Sequence, residues 1–316
     1  MRLVFFGTPE WAVPALEALA GSPHEVRGVV TAPDAALGRS RRPVPPPVKR
    51  RALELGIGAV LQPETLRGPA ARAAILGLEP DALAVVAYGR ILPGRLLDAP
   101  RHGAINVHFS LLPRHRGAAP VQYTILCGDA RGGVTTMKMA RGLDTGPVLL
   151  QEEVAVGPGE RAGELGRRLA AIGARLLLET LARVEQGADG VPQDEALATW
   201  APPLRAEMGL VSWDWDAAGI WRRMRAFDPW PPVVCQGPRG TLRLLEGEPL
   251  GETAPGEVPG LVLRRAGDAV DVVCGGRELL RLRLVQPSGG RPMSGAAALA
   301  GRHLVLGERL TRCQKD

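Results

Sequence analysis

The chain has 316 residues, of which 45% are hydrophobic and 4% aromatic, and its formal net charge is +6. A chain of this length exceeds the size at which one hydrophobic core usually keeps growing, so we expect two domains of a globular protein. No apolar run approaches the roughly 20 residues that span a bilayer, which excludes a membrane-spanning helix.

The ends and the composition of the chain suggest a compartment and a class of partner. Met1 leads directly into the strand-like Arg2–Phe6, so we expect no signal peptide and a cytoplasmic protein. The four cysteines have no paired spacing, which predicts neither a disulfide framework nor a zinc site. Arginine supplies 36 of the 39 basic residues, and the pI is near 9.7. This balance favours an anionic partner, nucleic acid first, although many basic proteins merely carry solvated arginines.

The first half alternates short apolar runs with helix-like stretches. The predicted strands are Leu3–Phe6, Val26–Val30, Leu83–Tyr88 and Ile105–Phe109, and the predicted helices are Trp11–Leu19, Val48–Leu55, Ala70–Leu76 and Glu164–Glu185. Short strands separated by helices favour a parallel sheet with helices on both faces. We therefore expect residues 1–186 to form a doubly wound α/β domain with a mostly parallel sheet.

The turn after the first predicted strand runs from Gly7 to Glu10. Thr8 is the predicted N-cap of the next helix, with Pro9 in its first turn. The turn lacks the spaced glycines of a dinucleotide-binding motif, which argues against NAD or ATP as a ligand.

The second half has a different pattern. Residues 187–209 are polar and rich in proline, which predicts a linker over the surface. A short helix near Ala217–Arg225 follows, and then come the short alternating segments Val233–Gln236, Leu242–Leu245, Val258–Arg264, Ala269–Cys274 and Leu279–Val285. We expect residues 210–316 to form a small β-barrel of the oligonucleotide-binding (OB) type.

Asn106 is the only asparagine of the chain, and it lies inside a predicted strand. Asparagine is depleted in strands, and a buried amide without a partner costs about 1–3 kcal/mol. His108, two residues on, shares its face of the strand because side chains alternate with period two. The pair fits a fixed hydrogen-bond donor beside a titratable base, or alternatively a strand end and a satisfied core histidine.

Two turn-rich loops extend this constellation. Residues 110–120 leave the carboxyl end of the Asn106 strand, which is where ligands bind in open α/β sheets. The loop Gly142–Pro147 adds one carboxylate, Asp144. We expect Asn106, His108 and Asp144 to converge on one crevice.

The motif Asn-x-His-x-Ser-Leu-Leu-Pro-x-x-Arg-Gly at 106–117, followed by Gly-Leu-Asp-Thr-Gly at 142–146, resembles the folate-dependent formyltransferases. Features outside these motifs resemble the branch of that family that formylates methionyl-tRNA. They are Phe6–Pro9, Val85–Gly89, Ile91–Pro93 and Arg225–Pro231. The resemblance runs essentially end to end.

The resemblance implies the substrates and the roles of the three polar residues. The formyl donor is then 10-formyltetrahydrofolate, the acceptor is the α-amino group of initiator methionyl-tRNA, and no metal is needed. Asn106 would donate to the developing oxyanion, His108 would help to hold it and handle protons, and Asp144 would orient the histidine and accept the amine proton. The residues implied in the folate pocket are Val85, Val86, Ala87, Tyr88, Gly89, Ile91, Leu92, Ser110, Leu111, Leu112 and Pro113.

The resemblance also implies a contact with tRNA through a basic loop. Arg39, Arg41 and Arg42 precede several prolines that stiffen the loop, and arginines of the second half could follow the phosphate backbone. A monomer is expected. Two other functions remain open: formyl transfer to glycinamide ribonucleotide or to an amino sugar, and a non-catalytic RNA-binding protein.

Overall fold

The computed structural model describes residues 1–36 and 42–313, which form two compact units. The first unit contains Met1–Val121, Ala130–Val156 and Glu164–Pro202, apart from the residues that are not described. The second contains Gln122–Asp129, Gly157–Gly163 and the described residues from Pro203 onward. The division at residues 186 and 209 remains a proposal.

The helices and strands of the described residues are as follows. The α-helices are α1 Val13–Ala20, α2 Pro47–Glu54, α3 Pro69–Leu76, α4 Gly94–Leu97, α5 Pro120–Leu126, α6 Ala162–Glu185, α7 Ala217–Ala226 and α8 Gly295–Ala300. The β-strands are β1 Arg2–Gly7, β2 Glu25–Val30, β3 Ala35–Ala36, β4 Pro43–Val44, β5 Val60–Leu61, β6 Ala82–Val86, β7 Ala104–His108, β8 Arg116–Gly117, β9 Arg131–Lys138, β10 Val148–Ala155, β11 Trp200–Ala201, β12 Val234–Gly237, β13 Gly240–Thr253, β14 Val262–Ala266, β15 Ala269–Val273, β16 Glu278–Pro287 and β17 Met293–Ser294.

The central sheet of the first unit has the order β10-β9-β7-β6-β1-β2-β5. Strands β5, β2, β1, β6 and β7 are parallel, and β9 and β10 add an antiparallel edge. The central strands are continuous apolar runs because helices cover both of their faces. Phe6 is level with Val85, and Val85 is level with Asn106, so the carboxyl ends of β1, β6 and β7 lie together. The predicted mostly parallel α/β fold is confirmed.

The two faces of this sheet have different roles. On one face α6 packs so closely that a Cβ on Gly173 would lie 2.7 Å from the side chain of Val107. On the other face Phe6 and Val85 join a core cluster that contains Ile75 of α3. Asn106 is paired with Val85 and therefore points to this second face, away from α6.

Two local predictions were wrong. Thr8 does not cap a helix; its hydroxyl donates to the Tyr88 carbonyl at 3.3 Å and so ties the turns after β1 and β6, while the residues after Pro9 form a short 3-10 turn. The strand predicted from Val258 begins only at Val262, because Gly260 takes a left-handed φ of +88°. Both cases involve turn geometry rather than hydrophobic pattern.

The second unit is built around an antiparallel sheet with the order β12-β13-β16-β15-β14, and β17 pairs with β16. The chain returns to both edges of this sheet. Thr311 bridges Gln236 of β12, and Arg309 bridges Leu261 next to β14. Residues 309–311 therefore close the sheet into a barrel. Its OB type remains a proposal.

Candidate active site

Asn106 and His108 lie side by side at the carboxyl end of β7, with exposures of only 8% and 5%. The side chain of Asn106 makes no hydrogen bond to any of the described residues. Because an unpartnered buried amide is costly, this group is available to a ligand at the end of the strand. The geometry favours a free donor over an amide that caps a strand end.

The imidazole of His108 is fixed from one side. Its Nε2 lies 2.9 Å from the carbonyl oxygen of His115, and a carbonyl can only accept, so Nε2 carries a proton. Nδ1 lies 3.7 Å from Oδ2 of Asp144. In the neutral imidazole Nδ1 is an acceptor, and two acceptors then face each other across a gap. At 3.7 Å these two atoms do not hydrogen-bond to each other, so each can accept from a donor group of a ligand.

Asp144 is held in place by its backbone and by one amide. Its φ of +52° is in the left-handed region, which aspartate tolerates better than most residues. The N–H of Gly117 donates to Oδ2 at 2.8 Å. A side chain on Gly117 would overlap the carbonyl of Ala201, and one on Gly146 would overlap the carbonyl of Lys138. The glycines of both motifs therefore allow the close backbone contacts that set the carboxylate beside His108.

Residues 190–201 contact this site, which sequence reasoning missed. Strand β11 runs parallel to β8, and the hydroxyl of Thr199 accepts from the backbone N–H of His115 at 2.9 Å. Arg116 is only 1% exposed and binds Gln193 and Glu195. The hydrogen bond to Glu195 raises the pKa of Arg116 although burial lowers it, and the same bond lowers the pKa of Glu195. Polar and proline-rich composition gave no sign of these contacts.

The turn after β6 holds most of the residues expected around the folate. Ala87 and Gly89 have positive φ angles of +45° and +77°, so the chain bends sharply as the strand ends. The side chains of Val85, Tyr88 and Leu92 belong to the core cluster. Val86 is level with Val107 and so faces the opposite side of the sheet, whereas Gly89 is exposed and Ile91 is 80% exposed.

The loop Ser110–Pro113, also expected at the folate pocket, is tied to the antiparallel edge. The Thr135 hydroxyl donates to the Ser110 carbonyl at 2.7 Å and accepts from the Leu112 N–H at 3.1 Å. Gln151 donates to the Leu112 carbonyl at 2.9 Å. Leu111 packs over Gly133 of β9. Thr135 and Gln151 thus fix the backbone of this loop, whereas a contact with folate stays a prediction.

Of the three arginines expected to contact tRNA, one lies within the described residues. Arg39 and Arg41 lie outside the described residues, and Arg42 is exposed. In the second unit Arg225 is buried, lies 3.8 Å from the ring centre of Trp221 and donates to the carbonyls of Pro158 and Glu160. Arg225 is therefore committed to its own unit.

Two kinds of feature are absent from the described part of the chain, a metal-binding cluster and a membrane-spanning helix. No three or more of its His, Cys, Asp and Glu side chains are grouped to hold a metal ion. None of its helices combines the length and apolar character needed to cross a membrane.

The chain is similar to known proteins along its whole length. Residues 1–181 match the family described as formyl transferase, and residues 203–303 match the formyl transferase C-terminal domain. A methionyl-tRNA formyltransferase of Methylococcus capsulatus is 43% identical over 313 residues, which cover 98% of this chain and 99% of that protein.

Solved structures share the fold. Methionyl-tRNA formyltransferase from Clostridium thermocellum has a TM-score of 0.56 at 15% identity, covering 81% of this chain and 95% of that one. HypX from Aquifex aeolicus in complex with tetrahydrofolic acid has a TM-score of 0.61 at 16% identity, covering all of this chain and 51% of that one, so this chain spans about half of HypX. The family matches and the identity to the Methylococcus protein lead to one conclusion: the chain belongs to the formyl transferase family.

Proposed function

We propose that this protein transfers the formyl group of 10-formyltetrahydrofolate to the α-amino group of methionine on initiator methionyl-tRNA, for the initiation of translation. The observation that carries this function is the 43% identity, over 98% of the chain, to a protein named methionyl-tRNA formyltransferase. That similarity includes the second unit, so it concerns the acceptor as well as the catalytic residues. The protein works as a monomer in the cytoplasm, where translation begins.

The chemistry matches the free donor at Asn106. The amine nitrogen attacks the formyl carbon, and the carbonyl oxygen becomes an oxyanion in a tetrahedral intermediate. The carboxamide of Asn106 donates an N–H to that oxygen, a contribution worth on the order of 100- to 1000-fold in rate when one such donor is removed. The bond from carbon to N10 of the folate then breaks, and N10 takes up a proton in place of the formyl group.

His108 and Asp144 handle the proton that the amine releases. A free α-amino group has a pKa of about 7.7–8.0, so little help is needed to present it uncharged. Nδ1 and Oδ2 are 3.7 Å apart, too far for a direct hydrogen bond, so Oδ2 can accept from the amine. As the new C–N bond forms, the nitrogen gives up its proton to Asp144, and His108 stays oriented by the carbonyl of His115.

The substrates approach from the ends of the parallel strands. The folate lies along the turn Val85–Leu92, chiefly against backbone groups, and beside the loop Ser110–Pro113. Arg39, Arg41 and Arg42 contact the acceptor end of the tRNA. The closeness of the turns after β6 and β7 supports the folate assignment.

The test is a formylation assay with the purified full chain, charged initiator tRNA and a radiolabelled formyl-folate donor. Label should appear on the methionine. Labelling of glycinamide ribonucleotide or of an amino sugar, but not of methionyl-tRNA, would overturn the acceptor, and labelling of none of these would overturn the proposed function.

A further inference from the structure

Gln193 has an amide whose orientation its neighbours fix. Its Oε1 accepts from Nε and Nη2 of Arg116 at 3.1 and 2.8 Å. Arginine can only donate, so the oxygen must face Arg116 and the NH2 group must face the other way. There the NH2 group donates to the carbonyl oxygens of Asp144 at 2.8 Å and Gly146 at 2.7 Å.

Arg116 is fixed in turn by a carboxylate. Its Nη1 and Nη2 donate to the two oxygens of Glu195 at 2.7 and 2.8 Å, a bidentate pair. The guanidinium is almost completely buried, which is rare for arginine unless it is paired. The next residue, Gly117, donates its N–H to the carboxylate of Asp144. One short strand therefore supports Asp144 directly through Gly117 and indirectly through Arg116 and Gln193.

The loop that these bonds hold needs support. Asp144 has a left-handed φ, and its carboxylate accepts a single hydrogen bond from the backbone, that of Gly117, among the contacts of the described residues. Without the two bonds from Gln193, the carbonyl groups of Asp144 and Gly146 accept no hydrogen bond from the described residues. A shift of about 1 Å in a catalytic group can cost on the order of 100-fold in rate.

We infer that Gln193 and Arg116 are positioning residues for the catalytic carboxylate, so that the segment 190–201 is a working part of the active site rather than a passive connection. This inference rests on the proposed function. Gln193 holds the backbone of the Asp144 loop through two hydrogen bonds. Arg116 binds the amide oxygen of Gln193 and so keeps its NH2 group turned toward that loop.

Two substitutions distinguish the positioning role of Gln193 from a general effect on stability. Gln193→Leu removes all the polar contacts of that side chain. Gln193→Glu keeps an acceptor for Arg116 but has no N–H to donate to the two carbonyls. Gln186→Leu is the matched control, because Gln186 is exposed and makes no side-chain hydrogen bond with the described residues.

The experiment measures formylation kinetics, the stoichiometry of folate binding and hydrogen exchange of peptides that cover residues 140–147. We expect both Gln193 variants to lose on the order of 10- to 100-fold in kcat, with KM changed less than about threefold. Their folate stoichiometry should equal that of the wild type, and exchange in residues 140–147 should be faster. Gln186→Leu should match the wild type throughout.

Three results would overturn the inference: an unchanged kcat in both Gln193 variants, a lower kcat without faster exchange in residues 140–147, or a lower kcat explained by a smaller folate-binding fraction. An inactive wild type would instead remove the proposed function. In that case unchanged hydrogen exchange in the Gln193 variants would still contradict the positioning role of Gln193. Failure of the proposed function and failure of this inference are therefore distinguishable.

Discussion

Two aspartates of this protein, Asp271 and Asp144, have opposite surroundings. Asp271 of the barrel is fully buried, and both of its oxygens are bound by arginines, with Arg281 donating to each oxygen and Arg264 donating to Oδ2. Asp144 keeps 10% of its side chain exposed and faces Nδ1 of His108 across 3.7 Å. The two arginines hold the Asp271 carboxylate in its charged form, whereas Asp144 has one backbone donor and an oxygen that faces the imidazole. This difference fits a structural role for Asp271 and the proposed catalytic role for Asp144.

The largest effect is expected when the carboxylate of Asp144 is replaced by an uncharged amide. Asp144→Asn should lower the rate of formyl transfer by about 100- to 10,000-fold, the usual contribution of a general base. Single-turnover formylation measures this loss, and the melting temperature should stay close to that of the wild type. Asp189→Asn is the control, since Asp189 is exposed and pairs only loosely with Lys138 at 3.6 Å. Equal rates in the two variants would contradict a catalytic role for Asp144.

Removal of the free amide should come next in size. Asn106→Ala is expected to cost on the order of 100- to 1000-fold in kcat, because an oxyanion donor acts only when charge develops. The affinity for methionyl-tRNA, measured by filter binding, should change little. A variant that kept full formylation activity would contradict the proposed role of Asn106 as the oxyanion donor.

Loss of the Asp271 carboxylate should lower stability and leave catalysis unchanged. Asp271→Ala should lower the free energy of unfolding by about 3 kcal/mol, because the buried carboxylate loses its charged hydrogen bonds with Arg264 and Arg281. Urea unfolding measures that loss, and kcat of the folded protein should be unchanged. The exposed Asp268 provides the control, and Asp268→Ala should leave both quantities unchanged. A large loss of kcat in Asp271→Ala would contradict a purely structural role for Asp271.

The same aspartate predicts a pH dependence. Burial raises the pKa of Asp271, but the hydrogen bonds from Arg281 and Arg264 outweigh burial and lower it below the ordinary 3.8. A carboxyl group whose pKa is lower in the folded state stabilises the protein at every pH above its pKa in the unfolded state. That contribution disappears as the pH falls through the pKa of the folded state. The difference in stability between wild type and Asp271→Asn should therefore shrink below pH 3.8.

The smallest effect concerns an arginine that is free of such partners. Arg291 is exposed and makes no hydrogen bond or ion pair with the described residues, unlike Arg264. Arg291→Ala should weaken tRNA binding only a few fold at low salt and reduce the slope of log affinity against log salt by about one. Binding titrations from low to moderate salt test this. An unchanged slope would remove Arg291 from the phosphate contacts.

The sequence predicted the parallel sheet and the position of Asn106 and His108, because apolar runs and a period of two specify which face a residue occupies. It also brought Asp144 to the site, through a glycine-flanked loop. It could not predict Gln193 or Glu195. Their contacts join residues about 50 to 80 positions apart, and Gln193 reaches backbone carbonyls, which every residue carries. No local pattern in residues 187–202 signals such pairing.

The return of residues 309–311 to both edges of the barrel has a consequence for handling the protein. A variant shortened before Gly307 would leave β12 and the start of β14 with open rows of N–H and C=O groups. Exposed strand edges recruit other chains by adding strands. Such a shortened protein should therefore aggregate in proportion to its concentration, even if its catalytic unit remained folded.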